Sequence, residues 1–296
     1  MIDKLEFLLA LARERHFGRA AESCGVTQPT LSAGLKQLED ALGVLLVERG
    51  SRFHGFTTEG DRVLDWALRI SGDMKAMKQE VDALKRGLAG HLRIAVIPTA
   101  LPMTAALTTP FRARHPAVRF TILSRTSVEI LALLTNFEID AGITYLDNEP
   151  LGRTIGVPLY QERYCLLVPA TSPLAKLERV GWHALGDTPL CLLTPDMQNR
   201  RIVDRVMQAS GVAPSITLES DSMIALYAHV RAGGWASIVP AMFAELLAPG
   251  PEIKVIPLIE PEEIHAIGLV VPHREPMTPL TTALVAEAKR LPGVFR

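Results

Sequence analysis

The sequence predicts an α/β protein in three parts: an N-terminal winged helix-turn-helix, one long helix, and a two-lobed α/β domain. Three observations carry that reading. Between Phe17 and Asp40 two helical patterns meet at a glycine turn. From Val63 to Leu88 apolar residues recur at alternating spacings of four and three. From residue 91 onward, strand-like and helical runs alternate.

At 296 residues and 48% hydrophobic, the chain has length for two domains and enough apolar side chains for buried cores. Its three cysteines, Cys24, Cys165 and Cys191, are far apart in sequence. That spacing fits neither a zinc site nor a disulfide framework, and suits a reducing cytoplasm. The apolar stretch Leu5–Ala12 follows Asp3 and contains Glu6, unlike a secretory signal. No run approaches the roughly 18 apolar residues of a membrane span, so a cytoplasmic protein without membrane contact is expected. The formal net charge is −1, and residues 1–90 hold 13 basic and 13 acidic residues. Bulk charge therefore does not point to nucleic acid; any such contact depends on where the charges sit.

Residues 1–57 read as short helices followed by a small wing. Leu5, Leu8, Leu9 and Ala12 form one helical face. A second short helix, Gly18–Cys24, carries Ala20 and Ala21 for close packing and ends at Gly25. Thr27 offers an N-cap hydroxyl and Pro29 falls in the first turn of a third helix. Leu31, Leu35, Leu38 and Leu42 give that helix its apolar face, and Gly43 closes it. Leu45–Arg49 and Phe53–Thr57 are extended segments around Gly50 and Ser51.

Residues 58–90 read as one helix of roughly 45 Å. Its stripe, Val63, Ala67, Ile70, Met74, Met77, Val81, Leu84 and Leu88, is as narrow as a coiled-coil seam. Pairing between two subunits is expected; the plainer reading lays the helix on its own domain. Residues 91–296 offer strands at Leu92–Ile97, Arg119–Leu123, Ala141–Tyr145, Cys165–Val168, Leu190–Leu193, Ser237–Val239 and Ile267–Val271. Helical runs such as Val128–Asn136 and Asn199–Ala209 lie between them, which predicts a mostly parallel sheet. The expected lobes are 91–161 with 267–296, and 162–266.

A DNA-reading helix needs short hydrogen-bonding groups at its first turn and free N–H groups toward phosphate. Thr27, Gln28, Pro29, Thr30 and Ser32 fill that turn, and Gln28 suits a bidentate pair with adenine. Lys36, one turn on, reaches for the backbone. Because the segment is not basic, an ordinary helical hairpin is the competing reading. In the wing, Arg49, Ser51, Arg52 and His54 surround a turn suited to phosphate or minor-groove contact, or simply to solvent.

Phe17–Gly60 closely resembles the N-terminal domain of LysR-type transcriptional regulators. The resemblance lies in Ala20–Ala21, the TQPTLS of Thr27–Ser32, Leu38–Glu39, Leu42–Val44, Glu48–Arg49 and the TTEG of Thr57–Gly60, all in order. Gly34 inside the third helix and the shortened TTEG depart from the family pattern. The resemblance implies binding to pseudo-palindromic promoter DNA and a homodimer through the long helix, mostly assembled to a homotetramer. It also implies an effector domain similar to periplasmic binding proteins, with a small-molecule inducer between the lobes.

Two strand-to-helix turns point to where that inducer sits. Leu92–Ile97 runs into Pro98, Thr99 and Ala100, with a helix beginning near Pro102. Arg119–Leu123 runs into Arg125, Thr126 and Ser127, and Thr126–Glu129 fits a capping box. Parallel strands bring such turns to one edge, where open α/β folds bind ligands. Capped helix starts suit a small anion or carboxylate. Thr194, Asn199 and Ser222 are candidates from the other lobe. The plainer reading makes these hydroxyls helix caps and nothing more.

The eight histidines lack metal spacing, GxSxG, HExxH and P-loop motifs are absent, and Gly233–Gly234 lacks the GxGxxG spacing. No catalytic residue, metal or cofactor is therefore expected. The reading is a ligand-responsive regulator, not an enzyme. The alternatives are a two-lobed solute-binding protein and an enzyme using the cleft. Absence of a signal sequence argues against the first, and absence of a nucleophile–base set against the second.

Overall fold

The computed structural model describes residues 1–48 and 53–291. The chain divides into two compact units, Met1–Lys85 and Arg86–Arg296.

The first unit holds α1 (Ile2–Glu14), α2 (Phe17–Ser23), α3 (Gln28–Leu42) and α4 (Thr58–Arg86). Leu5, Leu8 and Leu11 of α1 meet Ala20 and Ala21 of α2 and Leu31, Leu35 and Leu38 of α3 in one buried core. His16 caps α2, its ring nitrogen accepting from the N–H groups of Gly18 and Arg19 at 3.1 and 3.3 Å. Thr27 caps α3, and Gly43 closes it in the left-handed conformation. Gly34 has a packing reason: a Cβ there would lie 2.6 Å from the ring of Phe7. The wing is slighter than two strands, with a single bridge between Val47 and Phe56. Glu39 fixes its entry by accepting from the N–H groups of Leu46 and Val47. Gly60 passes so near the wing that a Cβ would lie 2.0 Å from the carbonyl oxygen of Leu46.

The first part of the long helix lies on its own unit. Val63, Leu64, Ala67 and Ile70 pack on the helix-turn-helix core. Farther along the same stripe, Met77, Val81 and Leu84 are 52%, 44% and 84% exposed.

The second unit contains β1 (Gly90–Val96), α5 (Thr104–Arg114), β2 (Val118–Ser124), α6 (Ser127–Thr135), β3 (Ala141–Tyr145) and β4 (Thr154–Pro169). It continues with β5 (Val180–Gly181), β6 (Pro189–Leu193), α7 (Gln198–Ala209), β7 (Ser215–Ser220) and α8 (Met223–Ala232). The last elements are β8 (Ser237–Pro240), α9 (Ala241–Leu247), β9 (Ile253–Ile259), β10 (Ile264–Pro272) and α10 (Pro279–Ala288). The main sheet runs β2-β1-β3-β10-β4-β9-β5, with β8 also on β4 and with β6 and β7 paired separately.

This sheet is mixed, which corrects the expectation of a mostly parallel one. β1 is parallel to β2 and β3, but β10 is antiparallel to β3 and β4, and β4 is antiparallel to β8 and β9. The reason is one sixteen-residue strand that serves both halves. β4 pairs with β10 up to Arg163, then with β8 and β9 from Tyr164 onward. Gln161, Glu162 and Arg163 interrupt its apolar pattern, so only the Cys165–Val168 end reads as a strand in sequence. The helix expected near Pro102 is preceded by a 3₁₀ turn over Pro98–Met103. Among the described residues, no helix is long and apolar enough to cross a membrane.

Candidate nucleic-acid and effector sites

The first unit presents α3 with its apolar side inward and its polar side to solvent. Leu31, Gly34, Leu35 and Leu38 are buried, whereas Thr27, Gln28, Pro29, Thr30, Ser32 and Lys36 are exposed. Gln28, Ser32 and Lys36, four residues apart, line one edge of the helix. None of these three side chains has a hydrogen-bond or ion-pair partner among the described residues. Thr27 and Thr30 are more committed: their hydroxyls lie 2.8 Å apart, and Thr27 also accepts from the Thr30 N–H. The start of the helix therefore offers uncommitted polar groups on a fixed frame. His54 is exposed on the wing, while Arg49, Ser51 and Arg52 lie outside the described residues.

In the second unit, parallel β1, β2 and β3 deliver three C-terminal ends to one edge. β1 leads to Pro98 and Thr99, β2 to Thr126 and Ser127, and β3 ends on Tyr145. From the other half come Met197, Gln198 and Asn199 at the start of α7. Pro98, Thr99, Ser127, Tyr145, Gln198 and Asn199 enclose a cavity of about 10 Å³, which is room for one water at most.

Four side chains of α7 hold the two sides together. Asn199 donates to the Tyr145 hydroxyl at 3.2 Å, and Gln198 to the Asp147 carbonyl at 3.2 Å. Arg201 pairs with Glu149 and also donates to Ser127 at 3.3 Å. Arg205 donates to Asn148 at 3.0 Å. The first turn of α7 thus latches the β3–β4 connection.

Behind the cavity lies Glu162 of β4, 2% exposed. Tyr145 donates to it, and the Tyr164 hydroxyl is 3.3 Å from that of Tyr145. Burial pushes the Glu162 carboxyl up to about 7, against the opposing effect of hydrogen-bonding side chains of Tyr145, Tyr164, Asn199 and Thr99, the last too poorly aligned to count as a good bond. The second carboxylate oxygen, together with the Thr99 and Thr144 hydroxyls, is buried without a hydrogen-bond partner of good geometry. A buried acceptor left unsatisfied is costly, so a donor arriving there would be bound strongly.

Of the residues picked from sequence, Pro98, Thr99, Ser127 and Asn199 come together at the cavity. Thr126 and Ser222 cap α6 and α8, and Ala100 is buried in the core. The Thr194 carbonyl accepts from the Met197 N–H, closing the turn before α7. Sequence reading missed Tyr145, Glu162, Gln198 and Arg201. Tyr145 was within reach of the strand-end argument that found Thr99; a lone Glu in a strand carried no such signal. Glu162 bears on the expected small anion or carboxylate: its carboxyl, raised to about 7 by burial, opposes a second negative charge only when ionised. His16 caps a helix and His265 is buried beside Asn148, 2.9 Å away. No cluster of potential metal ligands occurs among the described residues.

An exposed polar helix on a three-helix core, joined by a long helix to a two-lobed α/β unit, is the architecture of a DNA-binding regulator with an effector domain. Two family models match the chain: the bacterial regulatory helix-turn-helix protein of the lysR family over residues 2–61, and the LysR substrate binding domain over residues 85–292. The DNA-binding transcriptional dual regulator OxyR of Escherichia coli K12 is 32% identical over 270 residues, 91% of this chain and 88% of that protein. A full-length OxyR variant from Pseudomonas aeruginosa superposes with a TM-score of 0.75 at 26% identity, covering 98% and 97% of the two chains. Full-length CbnR complexed with its target DNA shares the fold, with a TM-score of 0.64 at 23% identity over 98% of this chain and 99% of that one. The chain belongs to the LysR family of DNA-binding transcription regulators.

Proposed function

We propose that the protein is a cytoplasmic regulator that binds pseudo-palindromic promoter DNA and is controlled by a small polar molecule between the lobes of residues 91–296. The observation that carries the ligand class is the buried carboxyl of Glu162, one oxygen of which lacks a hydrogen bond of good geometry, behind a cavity held closed by α7. The inducer donates a hydrogen bond toward Glu162 and Thr99 and accepts from Ser127, Gln198 or Asn199. It enters by parting the latch, because the closed cavity holds only about one water. A ligand that favours one lobe arrangement shifts that equilibrium and, with it, the state of the DNA-binding units.

Two copies pair through residues 58–90, where Met77, Val81 and Leu84 are exposed on one stripe. The dimers assemble further to a tetramer. DNA is read by Gln28, Ser32 and Lys36, with Thr27, Pro29 and Thr30 at the helix start and with Arg49, Ser51, Arg52 and His54 on the wing.

Several relatives are named hydrogen peroxide-inducible genes activators. A thiol sensor of peroxide needs an accessible, readily ionised cysteine. Cys165 and Cys191 are instead buried in one core, their thiols pushed up by burial to about 12 and about 11. Cys24 lies in the helix-turn-helix. These positions support a ligand bound without a covalent step.

Fluorescence anisotropy of the full chain on the DNA upstream of its own gene tests the reading. Binding should weaken steeply with salt. A metabolite that raises the melting temperature should shift promoter affinity in the wild type but not in Glu162→Gln. Absence of promoter binding, or an equal response in Glu162→Gln, would contradict it.

A further inference from the structure

Strand β9 turns Ile256 and Leu258 into the core, where both are buried. Two-residue alternation places Ile253, Val255, Pro257 and Ile259 on its other face. Ile253 is buried in a second core cluster and Val255 packs against it, whereas Pro257 is exposed and Ile259 half-buried; a strand position left to water normally carries a polar residue. Ala241, Ala244 and Glu245 of helix α9 and Ala248 just after it line a cavity of about 670 Å³ beside that face. That volume falls within the roughly 300–1,000 Å³ typical of small-molecule pockets. The cavity is separate from the latched cleft. Arg163, Tyr164 and Cys165 line it, and none of its lining residues lines the latched cleft.

The charged groups around the cavity are unevenly engaged. Arg163 is paired with Glu262. Arg179 also lines the cavity, and among the described residues its guanidinium has no ion pair or hydrogen bond. It precedes β5, which flanks β9 on the side away from β4. Glu245 acts on the β4 side, where its charge adds to burial in pushing up the Cys165 thiol. Arg179 thus approaches the cavity from the β5 side, and Glu245 from α9 near β4.

We propose that this cavity is a second ligand site, which takes a small free amphiphile with an apolar body and a single anionic head held by Arg179. The apolar body covers this face of β9, and the guanidinium supplies a charge-assisted bond to the head. A second anionic group is disfavoured by Glu245 on the α9 side. The site is independent of the cleft ligand and does not rest on that ligand's identity.

Calorimetry on the full chain tests this with two probes of equal chain length, octanoate and octylammonium. Octanoate should bind at a single site, with octylammonium at least about tenfold weaker. Arg179→Gln should weaken octanoate at least about tenfold with no change in melting temperature. Val255→Phe, which fills the cavity, should remove octanoate binding while the variant still binds promoter DNA. Glu162→Gln should leave octanoate affinity within about twofold, which separates this site from the cleft. No octanoate binding, equal affinity in Arg179→Gln, or loss in Glu162→Gln would overturn the proposal.

Discussion

The two units place their functional groups in opposite ways. On α3 every candidate DNA contact is exposed, and Gln28, Ser32 and Lys36 are left without partners on a helix fixed from behind. In the effector unit Ser127, Tyr145, Gln198 and Asn199 are buried and hydrogen-bonded, and the cavity they line with Thr99 has room for about one water. DNA is large and meets a preformed surface. On the proposed function, a small inducer competes with the protein's own hydrogen bonds, so that its binding acts as a switch.

That difference generates graded tests. The largest effect should come from Gly60→Val. The Cβ would overlap the Leu46 carbonyl, and the wing must move. A loss of about 3 kcal/mol or more in the first unit is expected, with promoter binding abolished and inducer binding intact. A variant with normal promoter affinity would show that the wing tolerates displacement.

Next is Glu162→Gln, read by thermal melting against pH. A carboxyl raised from the ordinary range to about 7 in the folded state holds its proton more tightly folded than unfolded. Its stabilising contribution is full below the ordinary carboxylate range and is lost as pH rises toward about 7. Wild type should therefore lose stability over that window, and Glu162→Gln should lose less, ending more stable at pH 8 by about 1–3 kcal/mol. Parallel curves would mean that the carboxyl is not strained by burial.

Gln28→Ala should cost about 1–3 kcal/mol at one base position, whereas Lys36→Ala should weaken binding across sequences and flatten the salt dependence. Competition with random DNA separates the two. The smallest effect belongs to Thr126→Val. The Thr126 hydroxyl accepts from the Glu129 N–H at 3.2 Å, so about 1 kcal/mol of stability is at stake. Inducer affinity should hold, since this hydroxyl is occupied as a cap.

The same contrast explains what could be read from sequence. The helix-turn-helix is local: caps at Thr27 and Gly43 and the leucines of α3 lie within twenty residues and keep their meaning without tertiary context. The Thr126–Glu129 capping box was legible for the same reason. The cleft is assembled from residues between 98 and 201, and Glu162 has no local pattern to mark it. Its strand was half hidden because the polar run Gln161–Arg163 looks like a break in an apolar stretch. β7 and β9 were missed because their alternation is short and interrupted by Pro257 or polar ends. The long helix misled in another way, since one apolar stripe serves its own core first and leaves only its later part bare.

The central claim is that the state of the latched cleft governs DNA binding, although no cleft residue belongs to the DNA-reading helix. Arg201→Ala removes the bonds to Glu149 and Ser127 and frees the start of α7. Anisotropy of this variant on the upstream DNA, without inducer, is the most direct measurement. The account predicts an affinity changed by about fivefold or more, in the same direction as inducer changes the wild type. An affinity and footprint identical to those of the wild type, in a variant that remains folded, would contradict it.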